Sequence, residues 1–150
     1  MSKIPEARFV AFADVNAHAA ESCLEEFDGE YSTTTATRIL EDDSIDAVYI
    51  CTRHDSHSNL AIQAARAGKH ILIEKPLALN ITDCEAVAEA VEIHDIFLMP
   101  AFKMRYYPLI RKAKEFIPHP QVIVAQMMDE RWSDDSWAQD PVQGLSLIHI

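Results

Sequence analysis

Glycine is scarce in this sequence, with 3 residues in 150. There is no GxGxxG turn, Walker A loop, GxSxG elbow, HExxH pair or CxxC pair. Cysteine is sparse too. Cys23, Cys51 and Cys84 have no metal spacing, and an odd number argues against a disulfide framework. Cys51 ends an apolar run and Cys84 lies on a helical apolar stripe, so both are expected to be core thiols. No metal site is expected. No signal peptide heads the chain and no apolar run is long enough to span a bilayer, so the expectation is a cytoplasmic protein with no membrane partner. Positive charge is short as well: 13 Lys and Arg against 24 Asp and Glu give a net charge of −11. A nucleic acid backbone would be repelled, which excludes it as a partner, whereas a local basic site for a small molecule remains open.

What is present suits one folded domain. The hydrophobic share is 49% and the charged share 25%, ordinary for a globular protein long enough to bury a core. Short apolar runs alternate with helical patterns. RFVAFA (8–13) reads as a strand that stops at Asp14. Asn16 caps a helix whose Ala20, Cys23, Leu24 and Phe27 share one face, and Gly29 stands where a C-cap glycine belongs. Tyr31 to Thr33 reads as a short strand, Thr35 as the cap of a short helix through Leu40, and Asp42, Asp43 and Ser44 as a turn. AVYIC (47–51) is the clearest strand and reads as covered on both faces. Ser56 to Ala67 is a helix ended by Gly68, and His70 to Ile73 is another strand. Thr82 and Glu85 have the spacing of a capping box for a helix with Cys84, Val87, Ala88 and Val91 buried. Ile96 to Met99 is a strand that Pro100 stops. Leu109, Ile110, Ala113, Phe116 and Ile117 mark an amphipathic helix, and VIVAQMM (122–128) a last strand.

Strand–helix alternation with short connections predicts an α/β fold with a parallel sheet. Ligands of such sheets bind beyond the carboxyl ends of the strands. That rule selects Asp14, Thr52 to His57, Glu74 to Pro76, and Phe102 to Tyr106. Asp14 is either an acceptor for the hydroxyls of a ribose or a simple loop residue beside Asn16. Lys75, directly after an apolar strand and held by Pro76, is placed to polarise or protonate a carbonyl oxygen; the plainer reading is an exposed ion pair with Glu74. Glu74 can orient that lysine or bond a ribose. His54 and His57 have helix-turn spacing but no third metal ligand at a convincing distance. His57 reads as a polar contact to cofactor or substrate, or as a plain helix-start histidine. Arg105 suits an anionic or hydroxyl-rich ligand, or is a surface residue near a domain boundary. Trp132 and Trp137 read as packing or interface residues.

Three stretches carry a family resemblance: FVAFADVN (9–16), DAVYICTRHDSHSNLAIQAARAGKHILIEKPLALN (46–80) and FKMRYYPLIRKAKEFI (102–117). The middle one is the most specific, with a strand, a TPNxxH-like turn, a helix and AGKHxxxEKPLA in fixed order. Together they resemble the glucose–fructose oxidoreductase / inositol dehydrogenase (Gfo/Idh/MocA) family. The resemblance implies a Rossmann-like doubly wound parallel sheet that lacks its first strand and glycine-rich turn (1–101), then the start of a C-terminal α/β substrate domain (102–144). It implies a parent enzyme that moves hydride between NAD or NADP and a sugar, inositol or related polyol, NAD being favoured by Asp14. By position, Asp14 would meet the adenosine ribose, and Thr52, Arg53 and His54 would lie along the cofactor. His57 and Glu74 would sit near the nicotinamide half, Lys75 would be the catalytic-site lysine, and Arg105 would face the cleft. Arg53 and His54 replace the usual Pro and Asn, and Lys103 stands where Asn is common. An NAD-dependent glycosidase of the same family and a non-catalytic α/β binding module are the rival readings.

The ends depart most. The family's first strand, glycine turn and most of its first helix would precede residue 5, so Met1 is expected to be an internal start in a longer frame. Trp132 to Gly144 resembles the approach to a DxGxH segment that carries further catalytic residues. LSLIHI (145–150) fits no family pattern and matches a frame of a transposon-end sequencing adapter, CTG TCT CTT ATA CAC ATC. It is expected to be an artefact outside the fold. On this reading the fragment itself is inactive, and its parent is a homo-oligomer acting on a small molecule.

Overall fold

Asn16 starts the first helix as the sequence predicts: its side chain accepts a hydrogen bond from the backbone N–H of His18 at 3.0 Å. The computed structural model describes residues 5–119, 121, 122, 124 and 136. The strand expected over 122–128 falls largely outside these residues, as do Trp132, Trp137 and the 145–150 tail.

The elements run β1 (Ala11–Ala13), α1 (Ala17–Phe27), β2 (Tyr31–Thr33), α2 (Ala36–Leu40) and β3 (Ala47–Ile50), then α3 (His57–Arg66), β4 (His70–Ile73), α4 (Ile81–Ile93), β5 (Leu98–Pro100) and α5 (Pro108–Phe116). Single turns of 3-10 helix at His54–Ser56 and Lys103–Tyr106 precede α3 and α5. All strand pairs are parallel. They form two sheets, β1-β2 and β3-β4-β5. Strand β1 is shorter than the predicted 8–13, because Phe9 leaves the ladder and packs its ring against Phe12 and Phe27. Strand β5 lies later than predicted and includes Pro100, which the outer position tolerates because, among the described residues, no further strand needs its missing N–H.

The core lies between the larger sheet and the pair α3 and α4. Ile50, Ile71 and Ile73 point into it and meet Ala61, Ala64, Ala65, Val87, Ala90 and Ile96. The alanines let α3 lie close to the sheet and to α4. The opposite face differs from expectation. Ala47 and Tyr49 are exposed, so β3 is covered on one face only among the described residues. Tyr49, Leu72 and Met99 stand side by side across that open face.

Helix ends carry further corrections. Helix α3 ends as predicted at Gly68, whose φ of +71° suits glycine; Gly68 and Lys69 donate to the carbonyls of Ala65 and Ala64. Helix α1 instead puts Asp28 in the left-handed position, with φ 55°. Gly29 is needed for a different reason: a Cβ there would meet the Phe12 ring at 2.8 Å. Thr35 precedes α2 without a side-chain cap bond. The predicted Thr82–Glu85 box is displaced to Asn80 and Asp83. Asn80 accepts from the Asp83 N–H at 2.8 Å and donates its amide to the Asp83 carboxylate at 2.9 Å. Helix α4 therefore starts at Ile81, and Ala90 replaces the exposed Ala88 on the buried stripe. Cys51 is exposed and Cys84 half-buried, so neither is a full core thiol.

Asn80→Ala is expected to lower unfolding free energy by ~1 kcal/mol, and Thr82→Ala by no more than a few tenths. Urea denaturation of both variants checks this, and the reverse order would restore the Thr82 cap.

Candidate functional site

Parallel pairing places the predicted residues at one end of the sheet. Ile50 stands opposite Ile73, and the Glu74 N–H donates to the Ile50 carbonyl at 2.8 Å. The loop from Cys51 to Ser56 therefore lies beside Glu74–Lys75. The Ala101 N–H extends the end toward β5 by donating to the Ile73 carbonyl at 2.7 Å. Asp14 leaves β1 with its N–H on the Thr33 carbonyl. The Cys51 thiol is pushed up by desolvation first, then by negative charge at Glu74, Cys23 and Asp14.

Asp14 is exposed, and its Oδ1 accepts from the Asn16 N–H at 2.8 Å, which fixes the carboxylate at the strand end. The Thr52 hydroxyl meets the Ser56 hydroxyl at 2.6 Å, and Ser56 in turn donates to the Arg53 carbonyl at 2.7 Å. These bonds fold the loop into its 3-10 turn. Arg53 forms an exposed ion pair with Asp55 at 3.4 Å. His54 is buried, its ring edge-on to His57 with centroids 5.8 Å apart. Burial, followed by the charges of His57 and Lys75, lowers the His54 pKa and favours its neutral ring.

The predicted polar contact from His57 to a ligand meets a different geometry. Its ring is fully buried. Nδ1 lies 2.7 Å from the Pro76 carbonyl oxygen and Nε2 3.0 Å from that of Thr52. Both nitrogens face the protein's own backbone, because the first residue of α3 points under the loops and not over them. Glu74 also uses both carboxylate oxygens internally. Oε1 accepts from the Tyr49 hydroxyl at 2.8 Å and Oε2 from the Lys75 N–H at 3.2 Å. The Lys75 side chain is exposed beyond β4. Arg105 is exposed after β5, its guanidinium 5.1 Å from the centre of the Phe102 ring.

Sequence reasoning misses three residues that hold the sheet's two ends: Tyr49 at the carboxyl end, and Asp42 and Lys69 at the amino ends of β3 and β4. Tyr49, the Glu74 partner, reads in the sequence only as part of a buried strand. Alternation along AVYI, with Tyr49 on the face opposite Ile50, was the available signal. Asp42, read only as a turn residue, joins the two sheets' surroundings. It accepts from the Ser44 N–H and hydroxyl and from Tyr31 of β2, and its carbonyl accepts from the Lys69 ammonium at 2.8 Å. The Asp42 carboxyl is held below its ordinary value chiefly by the two bonds from Ser44, then by Tyr31. Lys69 is buried, which its place directly after a helix-ending glycine did not reveal. Among the described residues no group of three or more His, Cys, Asp or Glu side chains converges to hold a metal, and no helix is long and apolar enough to cross a membrane.

Residues 1–102 match the family model described as an oxidoreductase family with an NAD-binding Rossmann fold. The chain belongs to the Gfo/Idh/MocA family. It is 34% identical over 134 residues to levoglucosan dehydrogenase of Pseudarthrobacter phenanthrenivorans, covering 89% of this chain and 34% of that protein. It is 31% identical over 117 residues to myo-inositol 2-dehydrogenase of Thermotoga maritima, covering 78% and 35%. A solved levoglucosan dehydrogenase, in complex with NADH and levoglucosan, superposes with a TM-score of 0.68 at 37% identity, over 73% of this chain and 30% of that one. The chain thus spans about a third of the length of these Gfo/Idh/MocA relatives. Their Rossmann architecture agrees with the parallel, helix-covered sheets seen here.

The Tyr49 pKa is pushed up to about 12, by desolvation first and then by the bond and charge of Glu74. The folded value lies above the ordinary 10.0 of an unfolded chain. The linked stability is therefore fully present below the unfolded value and is lost as pH rises through the folded one. In a spectrophotometric phenolate titration the highest step should be absent from Tyr49→Phe; its persistence would assign that step to another tyrosine.

Proposed function

We propose that this chain is the coenzyme-holding part of an oxidoreductase that moves hydride between NAD or NADP and a carbinol carbon of a sugar, inositol or related polyol. The observation that carries the reading is the placement of the Thr52–His54 loop beside Glu74–Lys75 at the carboxyl ends of β3 and β4, with Asp14 at the carboxyl end of β1. Ligands of open α/β sheets bind at that end. The donor set suits a nicotinamide coenzyme. The exposed Asp14 carboxylate keeps Oδ2 for a ribose diol, and its charge opposes a 2′-phosphate, which favours NAD. Thr52, Arg53 and His54 border the same end, and a neutral His54 can bond a coenzyme without adding charge. Arg105 faces the substrate side. When bound, the coenzyme supplies or accepts the hydride.

Lys75 has the chemistry for the accompanying proton. Its ammonium can donate to a developing alkoxide, and its free amine can take the hydroxyl proton in the reverse direction. Glu74 accepts from the Tyr49 hydroxyl and from the Lys75 N–H, which fixes its carboxylate next to the lysine. The levoglucosan complex supports a carbohydrate-like substrate class.

In the full-length protein that carries this segment, Lys75→Met is expected to lower kcat by ~10²–10⁴-fold while leaving coenzyme affinity nearly unchanged. Steady-state kinetics with coenzyme titration tests it; retained turnover would remove Lys75 from the reaction. Asp14→Ala is expected to weaken NAD binding more than NADP binding, since only the former loses an acceptor without losing a repulsion. Isothermal titration with each coenzyme decides, and equal losses would count against the ribose contact.

A further inference from the structure

We infer that His57 is a positioning residue for Lys75, holding the lysine's backbone through the Pro76 carbonyl; the inference rests on the reading of Lys75 given above. The ring is one of the largest fully buried side chains, with Ile73 and Val87. It projects from the first residue of α3, a helix fixed against the sheet and α4 by the buried Ala61, Ala64 and Ala65. The base of the imidazole therefore belongs to a fully buried part of the described chain. Its Nδ1 reaches the Pro76 carbonyl oxygen at 2.7 Å, immediately beyond Lys75.

Lys75 is bracketed as a result. On one side its own N–H is bonded to Glu74, which Tyr49 of β3 steadies. On the other, Pro76 is bonded to His57. Both ties lead back to rigid elements, so the lysine moves through its side-chain torsions while its backbone stays put. Placement of this kind matters because a small displacement of a reacting group lowers its rate steeply. Filling space alone would not call for an imidazole here. An apolar side chain of similar volume would fill the cavity without the cost of burying two polar nitrogens. The carbonyl only accepts, so the bond to Pro76 requires the proton on Nδ1. Nε2 lies 3.0 Å from the Thr52 carbonyl oxygen, a second acceptor, and a ring with its single proton on Nδ1 makes no hydrogen bond there.

The test starts with the unsubstituted whole chain, labelled with nitrogen-15 and carbon-13. A ring N–H resonance assigned to His57 Nδ1, protected from solvent exchange and coupled through the hydrogen bond to the Pro76 carbonyl carbon, is expected. A ring protonated at Nε2 alone would overturn the proposal. Substitution then separates positioning from packing. Asparagine can place a donor near the Nδ1 position, whereas glutamine reaches toward Nε2. In the full-length protein, His57→Leu is expected to lower kcat by at least ~10-fold with coenzyme affinity held, the size that loss of one buried hydrogen bond implies. His57→Asn should recover most of that loss and His57→Gln should not. Recovery by Gln alone, or equal kcat for Leu and Asn, would overturn it. Should Lys75→Met retain turnover, the Lys75 reading fails while the ring resonance still decides whether the His57–Pro76 bond exists.

Discussion

Everything at the carboxyl end of the larger sheet depends on how close α3 can come to β3 and β4. Three alanines with no exposed surface, Ala61, Ala64 and Ala65, allow that approach, and Ile73 fills the space they leave. The close approach puts the first residue of α3 beneath the loops instead of beside them, and so buries His57. A bulkier side chain at any of the three alanines would lift the helix, at a cost of ~1–3 kcal/mol for overpacking, and would carry the His57 ring away from both carbonyls. Stability and site geometry are therefore set by the same contact.

A second constraint acts between the two sheets. Among the described residues, backbone bonds do not join β1-β2 to β3-β4-β5. Side chains and turns do, and Asp42 is the busiest of these junctions. Its carboxylate faces Tyr31 from β2 and its carbonyl faces Lys69 at the start of β4. Arg38 lies over the Tyr31 ring at 4.2 Å and braces the same corner. The corner ties the amino end of β2 to that of β4.

Much of this was legible in the sequence. Helical spacing found α1 and α3, and the apolar runs found β3 and β4. Gly68 marked the end of α3, and the GKHILIEKP stretch located the lysine at the sheet's carboxyl end. Other features depended on tertiary context. Cap chemistry at α4 could have been satisfied by Thr82 or by Asn80, and in the folded chain the helix begins at Ile81, directly after Asn80, which takes the cap. Gly29 invited a left-handed reading, but Asp28 tolerates that conformation and Phe12 needs the empty space. His57 gave no sign that it faces inward, because a polar residue at a helix start is ordinarily at the surface. Its two carbonyl partners come from segments 5 and 19 residues away, a coincidence that only the folded chain creates.

Lys69 and Lys75 are six positions apart, yet they belong to different chemical worlds. The Lys69 ammonium is sealed inside against the Asp42 carbonyl, and that of Lys75 stands at the surface. An amine-directed reagent distinguishes them by access alone. Mild acylation of the folded chain reaches Lys75 and leaves Lys69 untouched, so that protection of Lys69 becomes a chemical mark of the native state and its labelling a record of unfolding.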